Sequence, residues 1–450
     1  MPEFTTAIGP DTGKFDVLAG LGIIRKMHVV VIGAGLAGIT STYFLRQQGL
    51  DVTVLEQEAA PAQGASYGNG GFLQTSAPEP WNMPGIFSVF AQAWLASLTG
   101  KSERSAFVTR TLALPGLVGW GLRFLKYANA EDYLGLTVKN MRLALYSQEC
   151  LRELNNTESL SYSYRDCGAM FLHRSEESLA NYRTLAEHVG ESGVRYEVLD
   201  RTALLEKEPS LTDIGDQLVG AVFYPDDSSA NSCEFCQQLA GICSEKGVKF
   251  LYGAPVNRIA TNSNGVVIRT ADNEVPADAL VIAAGAHSTR LAKLIGVRLP
   301  IAPAKGYSIS IPMRDWDNPP RHVLGDMGVH AGVNAIGDVL RVAGTAEFAG
   351  MREGVSKERT EYLIGLTRQI FPAFAETIDP DEIDPWGGLR PLSADGLPMI
   401  GSTAVKNIYV NSGHGGLGWT QAAGSGRAIA EHIAGVVDRF DLADFSPQRF

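Results

Sequence analysis

The sharpest chemical pattern in the chain is Gly33-Ala-Gly35-Leu36-Ala37-Gly38, followed by Glu56 and Gln57. Glycines at this spacing let the backbone turn tightly at Gly33, approach a pyrophosphate at Gly35 and lay a helix against a strand at Gly38. A helix that begins there offers unpaired N–H groups and a positive dipole end to phosphates. A carboxylate at Glu56 can accept hydrogen bonds from both ribose hydroxyls and would repel a 2′-phosphate. A second pattern is Gly388-Leu-Arg390-Pro391. An arginine grips a carboxylate with two parallel hydrogen bonds, which lysine cannot do. Tyr307, in Lys305-Gly-Tyr-Ser, can donate a hydrogen bond to the same anion, or simply pack in a sheet. Arg341 is a second candidate cation. His414, among the glycines of Ser412-Gly-His-Gly-Gly-Leu-Gly-Trp-Thr420, is placed to touch a cofactor or shape a pocket mouth.

The elements that must position these residues can be read around them. Residues 28–32 (HVVVI) form a short β-branched run, as in a parallel strand buried on both faces. Residues 39–48 continue as a helix that ends at Gly49, and 51–55 (DVTVL) form a second strand ending at Glu56. A similar unit recurs at 279–286, an apolar strand running into Ala284-Gly285. A late strand, 407–411, runs into the glycine-rich loop Gly415-Gly416-Leu417-Gly418-Trp419-Thr420 and then a helix over 421–435. The fingerprint alone does not separate NAD from FAD. The late loop points to FAD, since a helix amino terminus stabilises negative charge on a reduced flavin. Strands outside the nucleotide units are predicted over 161–172, 305–311 and 339–345.

Composition narrows the class. Apolar residues make up 45% and charged residues 19% of 450, a globular balance. The formal net charge of −11 argues against nucleic acid. Five scattered cysteines are no disulfide framework and suit a reducing compartment. Cys233 and Cys236 have CxxC spacing but lack a second pair, so they read as packing residues on a helix over 232–246, and no metal site is expected. No apolar run is long enough to span a bilayer. The apolar stretch 86–98 reads as a buried helix or one lying on a membrane surface, so a cytoplasmic location is expected, with peripheral contact at the inner face of the membrane as an option. Residues 1–26 lack a secretory pattern and read as a leader outside the fold, with Met27 as the start.

The segments VVVIGAGLAGITSTYFLRQQGLDVTVLE, GASYGNGG, PAKGYSIS, LRVAGTAEF, GLRPLSADGLPMIG and NIYVNSGHGGLGWT together resemble the D-amino acid oxidase superfamily of FAD enzymes, most closely its bacterial D-amino acid dehydrogenases. The resemblance runs from Met27 almost to the end. It implies an α/β fold: a Rossmann-like FAD-binding domain assembled from residues 27–80, 215–302 and 386–440, and an α+β substrate domain on a mixed or antiparallel sheet from 81–214 and 303–385. It implies that Ser66, Asn69, Gly70 and Gly71 lie along the flavin, that Val256, in a short strand, meets the adenine, and that Arg390 holds the substrate carboxylate. The implied reaction is oxidation of a D-amino acid to a 2-oxo acid and ammonia, with hydride passing from Cα to N5 of a non-covalent FAD. Electrons then go to a quinone, a carrier or oxygen. The alternatives are a glycine, sarcosine or hydroxyproline oxidase or dehydrogenase of the same superfamily, or a flavin-fold subunit without chemistry.

Overall fold

The computed structural model describes residues 26–98, 106–263, 265–314 and 316–450. The leader expected over 1–26 lies outside these residues except for Lys26. A six-stranded sheet runs in the order β19 (Met399–Ser402), β20 (Ile408–Ser412), β13 (Ala279–Ile282), β1 (His28–Ile32), β2 (Asp51–Leu55) and β9 (Lys249–Leu251). All neighbours are parallel except β19 and β20. The pleat of β1 sends Val29 and Val31 to one face and Val30 and Ile32 to the other. The first face is covered by α1 (Leu36–Gln47), α4 (Ala130–Thr157), α7 (Ser232–Glu245) and α11 (Gly418–Ala434). The second is covered by the antiparallel strands β10 (Arg258–Asn262), β11 (Gly265–Arg269) and β12 (Glu274–Ala277), with α8 (Ser288–Lys293). Burial on both sides explains the unbroken β-branched run.

Small residues let the helices close up. A β-carbon at Gly426 on α11 would stand 2.5 Å from Thr40 Oγ1 on α1, and one at Gly424 would stand 2.8 Å from Ser147 Cα on α4. Thr40 Oγ1 donates to the Ala422 carbonyl at 2.8 Å, which ties α1 to α11. On α7, Cys233, Cys236 and Cys243 are free and buried among apolar neighbours. Among the described residues no cluster of His, Cys, Asp and Glu could hold a metal, and no helix is long and apolar enough to cross a membrane.

The second sheet runs β18 (Asp384–Ser393), β14 (Ile301–Pro312), β17 (Val339–Phe348), β16 (Ala331–Ile336), β15 (Val323–Asp326), β5 (Ala169–His173), β7 (Gly220–Tyr224) and β6 (Glu197–Asp200), with β4 (Phe107–Thr109) against β17. One face carries Tyr307, Ile309, Leu340 and Val342 into a core with α6 (Arg201–Lys207), α9 (Lys357–Ile370) and α10 (Pro372–Ala375). Alternation turns Ser308, Asn334 and Arg341 to the opposite face, toward the six-stranded sheet. α5 (Glu176–Gly190) covers the β5–β7 end. β3 (Phe72–Leu73) and β8 (Ser228–Ser229) pair antiparallel between the two sheets. α2 (Ile86–Leu98) and α3 (Leu114–Lys126) lie beside the β18 end.

Two strand expectations are corrected here, and strand pairing crosses the expected domain bounds. β7 and most of β18 fall in stretches assigned to the FAD-binding domain, yet both pair within the large sheet, β7 with β5 and β18 with β14. The strand expected over 161–172 begins only at Ala169, because the preceding residues form a loop with a single bridge from Arg165 to Ser229. Val256 lies in extended chain between β9 and β10 rather than in a strand.

Candidate active site

One elongated cavity of about 520 Å³ runs between the two sheets, of a size suited to a cofactor or substrate. Its nucleotide end is built from bare backbone. Gly33 leaves β1 at φ +108°, and a β-carbon there would sit 2.6 Å from the Ala283 carbonyl oxygen. At Gly38 it would sit 1.9 Å from the Gly33 carbonyl oxygen, so only glycine lets α1 start this close to β1. Gly38 does this from outside the cavity, whereas Gly33, Gly35, Leu36 and Ala37 line it. α1 has no side-chain cap at Gly35 and no acid in its first turn, so its end is open to phosphate. At that end the Leu36 N–H donates to Ser66 Oγ at 3.1 Å. Glu56 closes this end. Its Oε2 accepts from Ala34 N–H at 2.6 Å and its Oε1 from Glu58 N–H at 3.0 Å. Burial raises its pKa against those two bonds. Gln57 and Val256 line the same end.

At the other end the glycine-rich loop forms a single 3₁₀ turn, Gly415–Leu417, that runs straight into α11 without a side-chain cap. Gly415, Gly416, Leu417, Gly418, Trp419 and Thr420 all line the cavity, as do Ala284 and Gly285 across from them. His414 is buried, with Nε2 3.2 Å from Ser425 Oγ. Burial holds its pKa down to about 4, so the ring is neutral at neutral pH. Asn411 gives its amide hydrogens to Ser41 Oγ at 2.9 Å and leaves Oδ1 buried without a partner in the cavity wall. That orphaned acceptor suits a ligand that donates.

The segment from Ser66 to Gly71 forms a third wall, clamped from behind by the large sheet. Ser308 Oγ donates to the Gly68 carbonyl at 2.8 Å, Asn334 Nδ2 to that of Gly70 at 3.1 Å, and Arg341 Nη1 to that of Asn69 at 3.1 Å. Ser66, Asn69 and Gly70 line the cavity. Gly71 does not: at φ +79° it turns the chain away, where a β-carbon would strike Ile336. This geometry gives Arg341, expected as a second cation, a bond to the loop backbone and no place in the cavity lining. Its guanidinium faces the back of the Asn69 loop, outside the cavity.

Arg390 lies on β18 opposite Ala304 of β14, beside the Gly388–Gly306 pair. Gly306 makes room for it, since a β-carbon there would lie 1.9 Å from Arg390 Nη1. Nη1 donates to the Thr345 carbonyl at 3.2 Å, and the guanidinium lies 5.9 Å from the Trp81 ring centroid. Among the described residues no carboxylate pairs with it; desolvation alone acts on the charge, drawing the pKa down to about 10. It remains a cation at neutral pH, inside the cavity wall and without a counter-ion.

Tyr307 brings its ring to the cavity, but its hydroxyl donates to Glu347 Oε2 at 2.5 Å. Glu347 is also held by Arg110 Nε at 2.6 Å. A phenol has one proton. The Tyr307 proton, expected to reach a substrate carboxylate beside Arg390, is given to Glu347 here.

Sequence reasoning passed over Trp386, whose ring lies across two glycines. β-carbons at Gly68 and Gly388 would come within 2.3 and 2.1 Å of it. The run Trp386-Gly-Gly was the available signal, an aromatic flanked by residues that leave it space. The unpaired amide oxygen of Asn411 had no such signal.

FAD fits what this chain presents. Glycine turns and an open helix end suit a pyrophosphate, Glu56 suits a ribose, and the second open helix end, at α11, suits the pyrimidine edge of a flavin. The family described as DAO, FAD dependent oxidoreductase, matches residues 28–432. A D-amino acid dehydrogenase of Methylobacterium radiotolerans is 35% identical over 433 residues, covering 94% of this chain and 100% of the relative. One from Vibrio atlanticus is 32% identical over 425 residues, covering 94% and 100%. Among solved structures, glycine oxidase from Geobacillus kaustophilus superimposes with a TM-score of 0.72 at 20% identity, covering 94% of this chain and 100% of that one. L-proline dehydrogenase from P. horikoshii also gives 0.72, at 18% identity, covering 95% and 98%. At such identity these two structures speak for the fold alone. The family match spans nearly the whole described fold, and with the dehydrogenase relatives it establishes that this chain belongs to the DAO family of FAD-dependent oxidoreductases.

Proposed function

We propose that this enzyme oxidises D-amino acids to 2-oxo acids and ammonia, with Arg390 as the anchor of the substrate carboxylate. The observation that carries the reading is a buried guanidinium, without a counter-ion, in the wall of the flavin end of the cavity. An uncompensated buried charge is costly, and an incoming carboxylate offsets that cost with a bidentate pair. FAD, when bound, supplies the acceptor for a hydride from the substrate Cα. The protein's part is alignment and charge. Arg390 fixes one end of the substrate, in the room that Gly306 leaves for it. The loop Gly415–Thr420 presents backbone N–H groups from an uncapped helix end. His414 is neutral and weakly basic, so the substrate ammonium releases its proton to water rather than to this ring. The imino acid hydrolyses after release.

None of the five cysteines lines the cavity, which supports non-covalent FAD. The electron acceptor is proposed to be membrane-borne. Phe87, Leu112, Val118 and Leu122 on and between α2 and α3 expose their apolar side chains to solvent, at 65, 84, 57 and 69%. A patch of this kind suits the apolar side of a lipid surface. Anaerobic mixing with D- and L-amino acid pairs tests the main reading. Bleaching of the flavin band by D-enantiomers is expected, and bleaching by glycine or sarcosine alone would transfer the assignment to those oxidases. Acid precipitation should leave the yellow colour in the supernatant. Co-sedimentation with vesicles should fall when Leu112 and Leu122 are changed to Ser.

A further inference from the structure

A second, smaller cavity of about 190 Å³ shares Gln74 and the stretch from His414 to Leu417 with the flavin channel. Its other walls include Glu79, Trp81, Asn82, Phe124, Leu392 and Ser393. Trp81 is the same ring that faces Arg390, so this cavity begins beside the proposed carboxylate anchor.

Its polar atoms are unbalanced. Asn82 is fully buried, and its amide nitrogen donates to the carbonyls of Phe124 and Ala394, both at 3.0 Å. Two acceptors at that nitrogen fix which end of the amide is which. Oδ1 is then an acceptor with no partner among the described residues; Gly396 and Pro80 pack close beside it, since a β-carbon at Gly396 would lie 2.4 Å from Pro80 Cβ and 2.7 Å from Oδ1. Ser393 Oγ is likewise buried and unpartnered. Glu79 has no ion pair among the described residues, and burial together with the nearby Asp227 lifts its carboxyl pKa to about 7. Asp227 is itself buried and takes its hydrogen bonds from Thr75 and Ser76 rather than from a cation. The cavity thus offers a carboxyl group, an amide oxygen and a hydroxyl, with one further acid, the buried Asp227, nearby and no Lys or Arg in its lining. Ammonium and guanidinium groups are donors without acceptors and complement such a lining. Trp81, Phe124 and Leu392 supply apolar and aromatic wall for the methylene stem and a π-face for the charge.

We propose that this cavity is the side-chain subsite and that it takes the cationic end of a basic D-amino acid: lysine, ornithine or arginine. The inference rests on the Arg390 reading, since it extends the substrate from that anchor. The test compares D-lysine with D-norleucine, which lacks only the ammonium group, in a dye-coupled assay of kcat/KM. Wild-type enzyme should favour D-lysine by about tenfold or more, the scale of one charged hydrogen bond. Glu79→Gln, matched for shape and retaining FAD, should bring the ratio toward one, and Glu79→Asp should keep part of the preference. A wild-type ratio at or below one overturns the proposal without any variant. So does an equal loss on both substrates in Glu79→Gln, which would place the acid at the α-ammonium common to both. Failure of every D-amino acid to reduce the flavin would instead remove the Arg390 reading on which the subsite depends, a different result from turnover that ignores side-chain charge.

Discussion

The two ends of the flavin cavity recognise their ligands in opposite ways. The nucleotide end presents mostly backbone: Gly33, Gly35 and the open end of α1, with the Glu56 carboxylate held beside them. The proposed substrate end uses side chains, Arg390 above all, and the large sheet holds that strand in place through the β14–β18 pairing. Backbone recognition depends on a few adjacent residues and tolerates no added atoms. Side-chain recognition depends on strands far apart in sequence and can be tuned one residue at a time.

Several substitutions sharpen that contrast. The largest effect belongs to the backbone end. Gly38→Ala puts a β-carbon 1.9 Å from the Gly33 carbonyl oxygen, with no flexible group to yield. The purified variant should carry no FAD, and a yellow protein of normal flavin content would break the comparison. Next comes Arg390→Ala, which should leave FAD bound. Truncating one partner of a buried charged pair costs about 2–5 kcal/mol, so kcat/KM should fall roughly thirtyfold to several thousandfold. Arg390→Lys should recover only part of the loss, because an ammonium lacks the fork. Gly306→Ala should mimic much of this loss with Arg390 still present, by displacing the guanidinium. Glu56→Ala comes lower. Losing charged acceptors at the ribose corresponds to roughly 1.5–3 kcal/mol, or tenfold to a hundredfold in FAD retention, measured by dilution and rebinding.

The smallest effect is a pH dependence that His414 should not set. Its pKa is held down to about 4 by burial, so it gains a proton only as pH falls toward that value. Between pH 5 and 9 the ring stays neutral. The acid limb of kcat/KM should therefore stay where it is in His414→Asn, whatever happens to the rate. A limb that moves with this substitution would make His414 the titrating base.

The same contrast decides what could be read from sequence. The nucleotide unit was legible because turn, helix start and acid lie within about thirty residues, each fixed by local geometry. Gly388-Leu-Arg390 was legible as a resemblance. Its support was not: Gly306 lies more than eighty residues earlier, and only the strand pairing brings it under the guanidinium. The hydrogen-bond partners of Tyr307 and Arg341 were hidden for the same reason. Each lies on a strand near the cavity, but the partners that claim them, Glu347 and the Asn69 carbonyl, are 40 and 272 residues away. The membership of β7 in the large sheet was hidden because a short apolar strand does not declare which sheet it joins.

The central claim is that Arg390 binds the substrate through its carboxylate. Anaerobic flavin reduction followed at the visible band, with D-methionine set against 3-(methylthio)propylamine, isolates that group. The account predicts fast bleaching by the amino acid and little by the amine in wild-type enzyme, with the amino acid slowed to the level of the amine in Arg390→Ala. Equal bleaching by both compounds in the wild type, or near-normal bleaching by D-methionine in Arg390→Ala, would contradict it.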